Sequence, residues 1–148
     1  MKVKIISKIE NVKKLEDYLI KGGFEISDDA PFTLIEENIT IDNIIGRKDG
    51  SYYYISTIDV IFFESFGHEI YVETKDDRYR VKEKLYELEE ILDKKDFFRI
   101  NHSTIINKRS IKKITPSIGT KFRLTMVNNT ILDVTRNYYY KFKEFLNI

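Results

Sequence analysis

From Ile41 to the end of the chain, short runs rich in Ile, Tyr, Phe, Val and Thr alternate with turn-forming residues, about every eight to twelve positions. Runs this short cannot complete the turns of stable helices, but they match strands of four to eight residues whose β-branched and aromatic side chains pack well on a pleated surface. Asp49-Gly50 joins 44–48 to 52–56, Gly67-His68 separates 60–66 from 69–74, and Asp76-Asp77 leads into 78–81. Asn128-Asn129 supplies a tight turn between 121–127 and 130–134, because Asn tolerates positive φ. With strands at 97–100 and 111–117, the region reads as mainly antiparallel β.

Helical spacing occurs in three places. Leu85, Leu88, Ile91 and Leu92 share one face of a helix over 82–92, and Tyr139, Phe142 and Leu146 form a stripe on a closing helix over 136–146. Near the start, Val12, Leu15, Tyr18 and Leu19 repeat at helical spacing, with Asn11 as the expected cap and Gly22-Gly23 as the stop. Charge and aliphatic residues alternate over 2–9, and short strands are expected at 24–26 and 33–35. Residues 1–40 therefore read as a small β-α-β accessory segment ahead of a β-rich domain over 41–148.

The near-neutral total hides a strong segregation of charge. Residues 1–45 sum to −3, 46–98 to −4 and 99–148 to +8. Such a basic block suits a surface that meets a polyanion, and equally a solvated face. Without cysteine there is no disulfide framework and no thiolate metal site. Apolar runs such as Val60-Ile61-Phe62-Phe63 are far shorter than the ~18 residues of a membrane span. A cytoplasmic protein without membrane insertion, cofactor or metal is the expectation. Catalysis finds little support: the two histidines, His68 and His102, lie far apart in sequence with no nucleophile signature nearby, and Gly46 and Gly50 bracket a turn instead of a phosphate-cradling loop.

The positive charge concentrates around a loop. Phe97-Phe98-Arg99-Ile100 runs into Asn101-His102-Ser103-Thr104, then an aliphatic anchor Ile105-Ile106, then Lys108, Arg109, Lys112 and Lys113. Asn101, His102 and Ser103 can reach base edges or phosphates, while the four cations can neutralise phosphates without reading sequence. A polar turn followed by an edge strand guarded by lysines has the same composition.

The segments "DVIFFESFGHEIYVET" (59–74), "VKEKLYELEEIL" (81–92), "FFRINHSTIINKRSIKKITPS" (97–117) and "LTMVNNTILDVTRNYYYKFKEFL" (124–146) together resemble the LytTR family of bacterial DNA-binding domains. The resemblance implies an elongated arrangement of small antiparallel sheets with a short helix and a C-terminal helix, reading double-stranded DNA from loops. It nominates one side chain in each of three loops: His68, His102 and Arg136, with Asn137 beside the last. Arg136 is the best candidate for base readout, since a guanidinium bonds guanine bidentately. His102 departs from the Arg, Lys or Asn frequent at that position. Some forty residues precede the domain, too few for a phosphorylated receiver. A stand-alone transcriptional regulator is therefore expected, binding adjacent half-sites as a homodimer, with residues 1–40 aiding pairing or docking a regulatory partner protein. The alternatives are a β-rich protein-interaction module without DNA binding and a small-ligand or hydrolytic enzyme on an all-β frame.

Overall fold

The computed structural model describes residues 1–37 and 39–148, with Ile9 described by its backbone alone. The chain divides into two compact units, Met1–Ile39 and Thr40–Ile148.

In the first unit, β1 (Lys2–Ile6) is the middle strand of a three-stranded parallel sheet between β2 (Glu25–Ile26) and β3 (Phe32–Ile35). Parallel neighbours need a crossover, which α1 (Ile9–Lys21) supplies between β1 and β2. Val3 lies in register with Ile26 and Phe32, and Ile5 with Leu34, so these apolar side chains share one face. Asn11 sits in the first turn of α1 instead of capping it. Its N–H bonds the Lys8 carbonyl, and its side-chain amide bonds Glu36 at 3.0 Å. The same carboxylate accepts from the Ser7 hydroxyl (2.6 Å) and the Lys8 N–H (2.9 Å). These donors, Ser7 first, hold Glu36 below its ordinary pKa.

The second unit is antiparallel throughout. Seven strands, β4 (Asn43–Lys48), β5 (Ser51–Ser56), β6 (Val60–Phe66), β7 (Glu69–Thr74), β8 (Arg78–Val81), β9 (Phe97–Asn101) and β10 (Thr104–Asn107), form a sheet in the order β5-β4-β8-β7-β6-β10-β9. A second sheet contains β11 (Ile111–Ser117), β12 (Lys121–Met126) and β13 (Ile131–Val134). Two short helices, α2 (Leu85–Ile91) and α3 (Tyr139–Leu146), complete the unit. No helix among the described residues is long and apolar enough to cross a membrane.

The main core lies between the two sheets. Ile61, Phe62, Ile100 and Ile106 of the large sheet meet Phe122, Leu124, Met126 and Val134 of the small one, and Phe142 of α3 closes the end. Each such burial stabilises by about 1.5–3 kcal/mol. Phe63, Ile105 and Phe97 point to the opposite face, which α2 covers with Leu88, joined by Leu92 just after the helix. β10 is buried along its whole length and β6 over Val60–Phe63, so their apolar residues Val60-Ile61-Phe62-Phe63 and Ile105-Ile106 stand in unbroken runs and not in alternation. Close approach explains Gly46: a Cβ there would stand 2.6 Å from Tyr79 Cβ and 2.7 Å from Ile55 Cδ1.

Candidate nucleic-acid interface

Register decides which loops share an end. In the β6–β7 hairpin, pairing continues to Phe66 and Glu69, leaving Gly67-His68 as a two-residue turn with His68 exposed. Thr104 of β10 pairs with Glu64 of β6 and with Asn101 of β9, so the His102-Ser103 turn lies beside the His68 turn. The Ser65 N–H bonds the Ser103 carbonyl at 2.8 Å and ties the two together.

The segment after β13 joins the same end. The Thr135 N–H bonds the Ile100 carbonyl at 3.1 Å, which delivers Arg136 and Asn137, both exposed, into a 3-10 turn over Arg136–Tyr138. His102 meets the Tyr138 ring edge-to-face at 6.1 Å. Arg136 Nε donates to the Gly119 carbonyl at 3.4 Å, which brings in the β11–β12 turn as a fourth neighbour.

Asn101 holds this end together. Its Nδ2 donates to the Asp133 carbonyl at 2.9 Å, and its Oδ1 accepts from the Ser103 N–H (2.8 Å) and hydroxyl (3.1 Å). Both acceptor positions are occupied, leaving one N–H for anything outside the protein. Arg99 is similarly engaged: Nε bonds the Asn101 carbonyl, Nη2 the His102 carbonyl and Nη1 the Glu89 carboxylate. Asn101 and Arg99 shape the loop, while His102 and Arg136 protrude from it.

Carboxylates near this end are matched. Asp133 pairs with Arg123 at 3.4 Å, Glu69 with Arg80 at 3.1 Å, and Glu64 with Arg78 at 3.5 Å. The Tyr71 hydroxyl donates to Glu69, which raises the phenol's pKa. Among the described residues Arg136 makes no ion pair, so its charge is free to face an anion.

The basic run after the loop travels to the opposite end. β10 carries the chain about 16 Å from Ser103 to Lys108, at roughly 3.3 Å per residue. There Asn107 accepts from the Arg109 N–H at 3.1 Å and donates to the Val60 carbonyl at 2.9 Å, fixing a 3-10 turn over Lys108–Ser110. Arg109 pairs with Asp96 at 3.2 Å, and the Lys108 ammonium lies 5.4 Å from the centre of the Phe145 ring. Lys112 bonds Asn129 at 3.2 Å, beside the β12–β13 turn. Lys113 pairs opposite Thr125 after the register shift that follows Ile111, about 13 Å along β11 from Ser117. Of the sequence-nominated residues, the structure brings together His68, Asn101, His102, Ser103, Arg136 and Asn137. It does not bring Lys108, Arg109, Lys112 and Lys113 to them.

Sequence reading missed the Ile118-Gly119-Thr120 turn as a neighbour of Arg136. Its available signal was a small uncharged turn flanked by Lys113 and Lys121 within a stretch, 97–132, that contains no acid. A cavity of about 810 Å³ lies away from this cluster, beside the β7–β8 turn and Ser110, lined by Tyr53, Tyr54, Ile58, Tyr79 and Val127 among others. Among the described residues no group of three His, Cys, Asp or Glu is placed to hold a metal ion.

A sequence profile described as the LytTr DNA-binding domain matches residues 50–147. A solved LytTr DNA-binding domain from Bacillus cereus superposes with a TM-score of 0.71 at 25% identity, covering 73% of this chain and 99% of that one. The sensory transduction protein LytT of Bacillus subtilis is 30% identical over 94 residues, which is 64% of this chain but 39% of that protein. An uncharacterized HTH-type transcriptional regulator of Staphylococcus aureus is 27% identical over 141 residues, 93% of this chain and 95% of its own length. Helix-turn-helix does not describe the present chain: among the described residues strands separate each α-helix from the next.

Proposed function

This chain belongs to the LytTR DNA-binding domain family, and on that premise we propose that it is a cytoplasmic transcriptional regulator that reads double-stranded DNA in a sequence-specific way through the loops at one end of its β-rich unit. The observation that carries this reading is the convergence of His68, His102 and Arg136, which lie far apart in sequence, on one end of the two sheets. Strand register and the Asn101 hydrogen bonds hold them there. Arg136 keeps its terminal amino groups for a guanine edge or a phosphate, His68 and His102 add donors on either side, and Asn101 and Ser103 are positioning residues for the loop. Lys108, Arg109, Lys112 and Lys113 contribute a diffuse attraction from the other end. The arrangement assigns no residue to bond-making chemistry.

One such end spans too few base pairs to specify a site in a genome, so two protomers act on neighbouring half-sites. Residues 1–39 support that pairing. Phe32 and Leu34 are exposed on one face of the edge strand β3, which suits a second copy or a regulatory partner protein, and Tyr18 and Ile20 are further exposed apolar side chains on α1. Selection from a random duplex pool tests the reading. The recovered site should lose affinity by orders of magnitude between about 50 and 200 mM salt. An inserted spacer of about 5 bp between half-sites should abolish joint occupancy, and one of about 10 bp should partly restore it. Failure to recover any preferred duplex, or flat salt dependence, favours the protein-interaction alternative.

A further inference from the structure

We infer that the β11–β12 turn is a fourth DNA-contacting element, and that Ile118 at its tip reads the methyl group of a thymine beside the base pair that Arg136 meets. The inference rests on the DNA-reading function proposed above and adds to it a residue and a base.

Three observations place Ile118 there. It is 95% exposed, the most exposed large apolar side chain among the described residues. Isolated apolar residues on a surface are ordinary, but this one stands at the tip of a hairpin paired as far as Ser117 and Lys121, where solvation of a whole isoleucine brings no folding benefit. The tip is also fixed in place. Gly119 and Thr120 both hold positive φ, +86° and +61°, the second a costly conformation for a β-branched residue, and the Gly119 carbonyl accepts from Arg136 Nε at 3.4 Å. Finally, the surroundings suit a polyanion: residues 97–132 contain no acid, and Lys121 and Arg123 follow the tip on β12.

Geometry then limits what Ile118 can meet. Consecutive Cα atoms are about 3.8 Å apart, and base pairs rise by about 3.4 Å. A residue adjacent to the one that touches Arg136 therefore falls within about two base pairs of the base that Arg136 contacts. In the major groove, where a guanidinium finds guanine O6 and N7, the apolar feature offered by a neighbouring base pair is the thymine C5-methyl. An isoleucine can bury that methyl, and it has no polar group with which to read anything else.

The test uses the full-length protein and the duplex it selects from a random pool. The base pair read by Arg136 is located as the one whose substitution no longer matters in Arg136→Ala. Each nearby thymine is then replaced by deoxyuridine, which removes only the methyl group. For the wild type, one such replacement within about two base pairs should weaken binding about fourfold, the equivalent of one buried methyl. Ile118→Ala should lose a similar factor on the intact duplex and become insensitive to that replacement, while Ile118→Val should stay sensitive. The exposure of Ile118 means that neither variant should change the thermal midpoint. A preferred, salt-dependent duplex without thymine-methyl dependence near the Arg136 base pair, or with equal dependence in wild type and Ile118→Ala, overturns the Ile118 contact alone. A pool that yields no preferred duplex overturns the proposed function and this contact with it.

Discussion

Replacing Asn101 with alanine removes three hydrogen bonds at once: the donor to the Asp133 carbonyl and the acceptors for the Ser103 N–H and hydroxyl. A typical intramolecular hydrogen bond contributes about 0.5–1.5 kcal/mol net, and stranding a buried partner costs more. Here the Asp133 bond is exposed to solvent, so water replaces the lost donor, whereas the Ser103 partners are partly buried and regain less. The expected loss is about 1.5–2 kcal/mol, or roughly 6–10 °C in thermal midpoint for a unit of this size. Urea denaturation followed by far-ultraviolet circular dichroism measures it. DNA affinity should fall further than stability alone requires, by about tenfold, because the loop that carries His102 must then be ordered on binding. Asn101→Asp keeps the acceptor for Ser103 but sets a carboxylate oxygen against the Asp133 carbonyl, so it should recover part of the stability and less than the wild-type amide gives. An Asn101→Ala protein with wild-type stability and affinity would refute the assignment of this side chain as the organiser of the end.

Three further outcomes are expected. Gly46→Ala should destabilise by about 1–3 kcal/mol, because its Cβ would meet Tyr79 Cβ and Ile55 Cδ1 well inside contact distance; an unchanged urea midpoint would show that the β4–β8 approach relaxes freely. Glu36, held below its ordinary pKa by Ser7, the Lys8 N–H and Asn11, contributes stability that is present above the unfolded pKa of about 4.3 and is lost as pH falls through the folded value. Protection of the Lys8 amide, its exchange rate relative to that of an unstructured chain at the same pH, should therefore fall in acid, and Glu36→Gln should show the lower protection already at neutral pH. Neutralising Lys112 and Lys113 together should weaken all duplexes alike and flatten the salt dependence by no more than about two phosphate equivalents; loss of discrimination between the preferred and random duplexes would give these lysines a role in base reading.

The β architecture was legible because its turns are chemically local. Gly67-His68 and the flanking strands Val60–Phe66 and Glu69–Thr74 fall where turn residues and β-branched runs put them, and Asn129 adopts the positive φ its side chain tolerates. The closing helix is shorter than its spacing suggests, since Arg136–Tyr138 is a 3-10 turn tied to Thr135. β10 was read as an aliphatic anchor only: four residues buried on both faces show no alternation to mark them as a strand. The end proposed to face DNA was half legible. Composition draws attention to 97–114, but closeness in sequence is not closeness in space along a strand, and β10 carries Lys108 and Arg109 away from His102. Sequence also cannot show which donors are already engaged. Arg99 has the charge of a phosphate contact, yet three of its nitrogens are bonded within the protein. The nearness of Gly119 to Arg136 depends on β13 returning beside β12, which no local pattern encodes.

We propose that one end of the β-rich unit, built from four turns, meets the duplex. Amide chemical-shift mapping of the full-length, isotope-labelled protein during titration with its selected duplex tests this most directly. The largest perturbations should fall on residues 67–69, 101–103, 118–121 and 136–138, with small changes at 108–113. Large perturbations at 108–113 with an unmoved His68, His102 and Arg136 would place the duplex at the opposite end and contradict it.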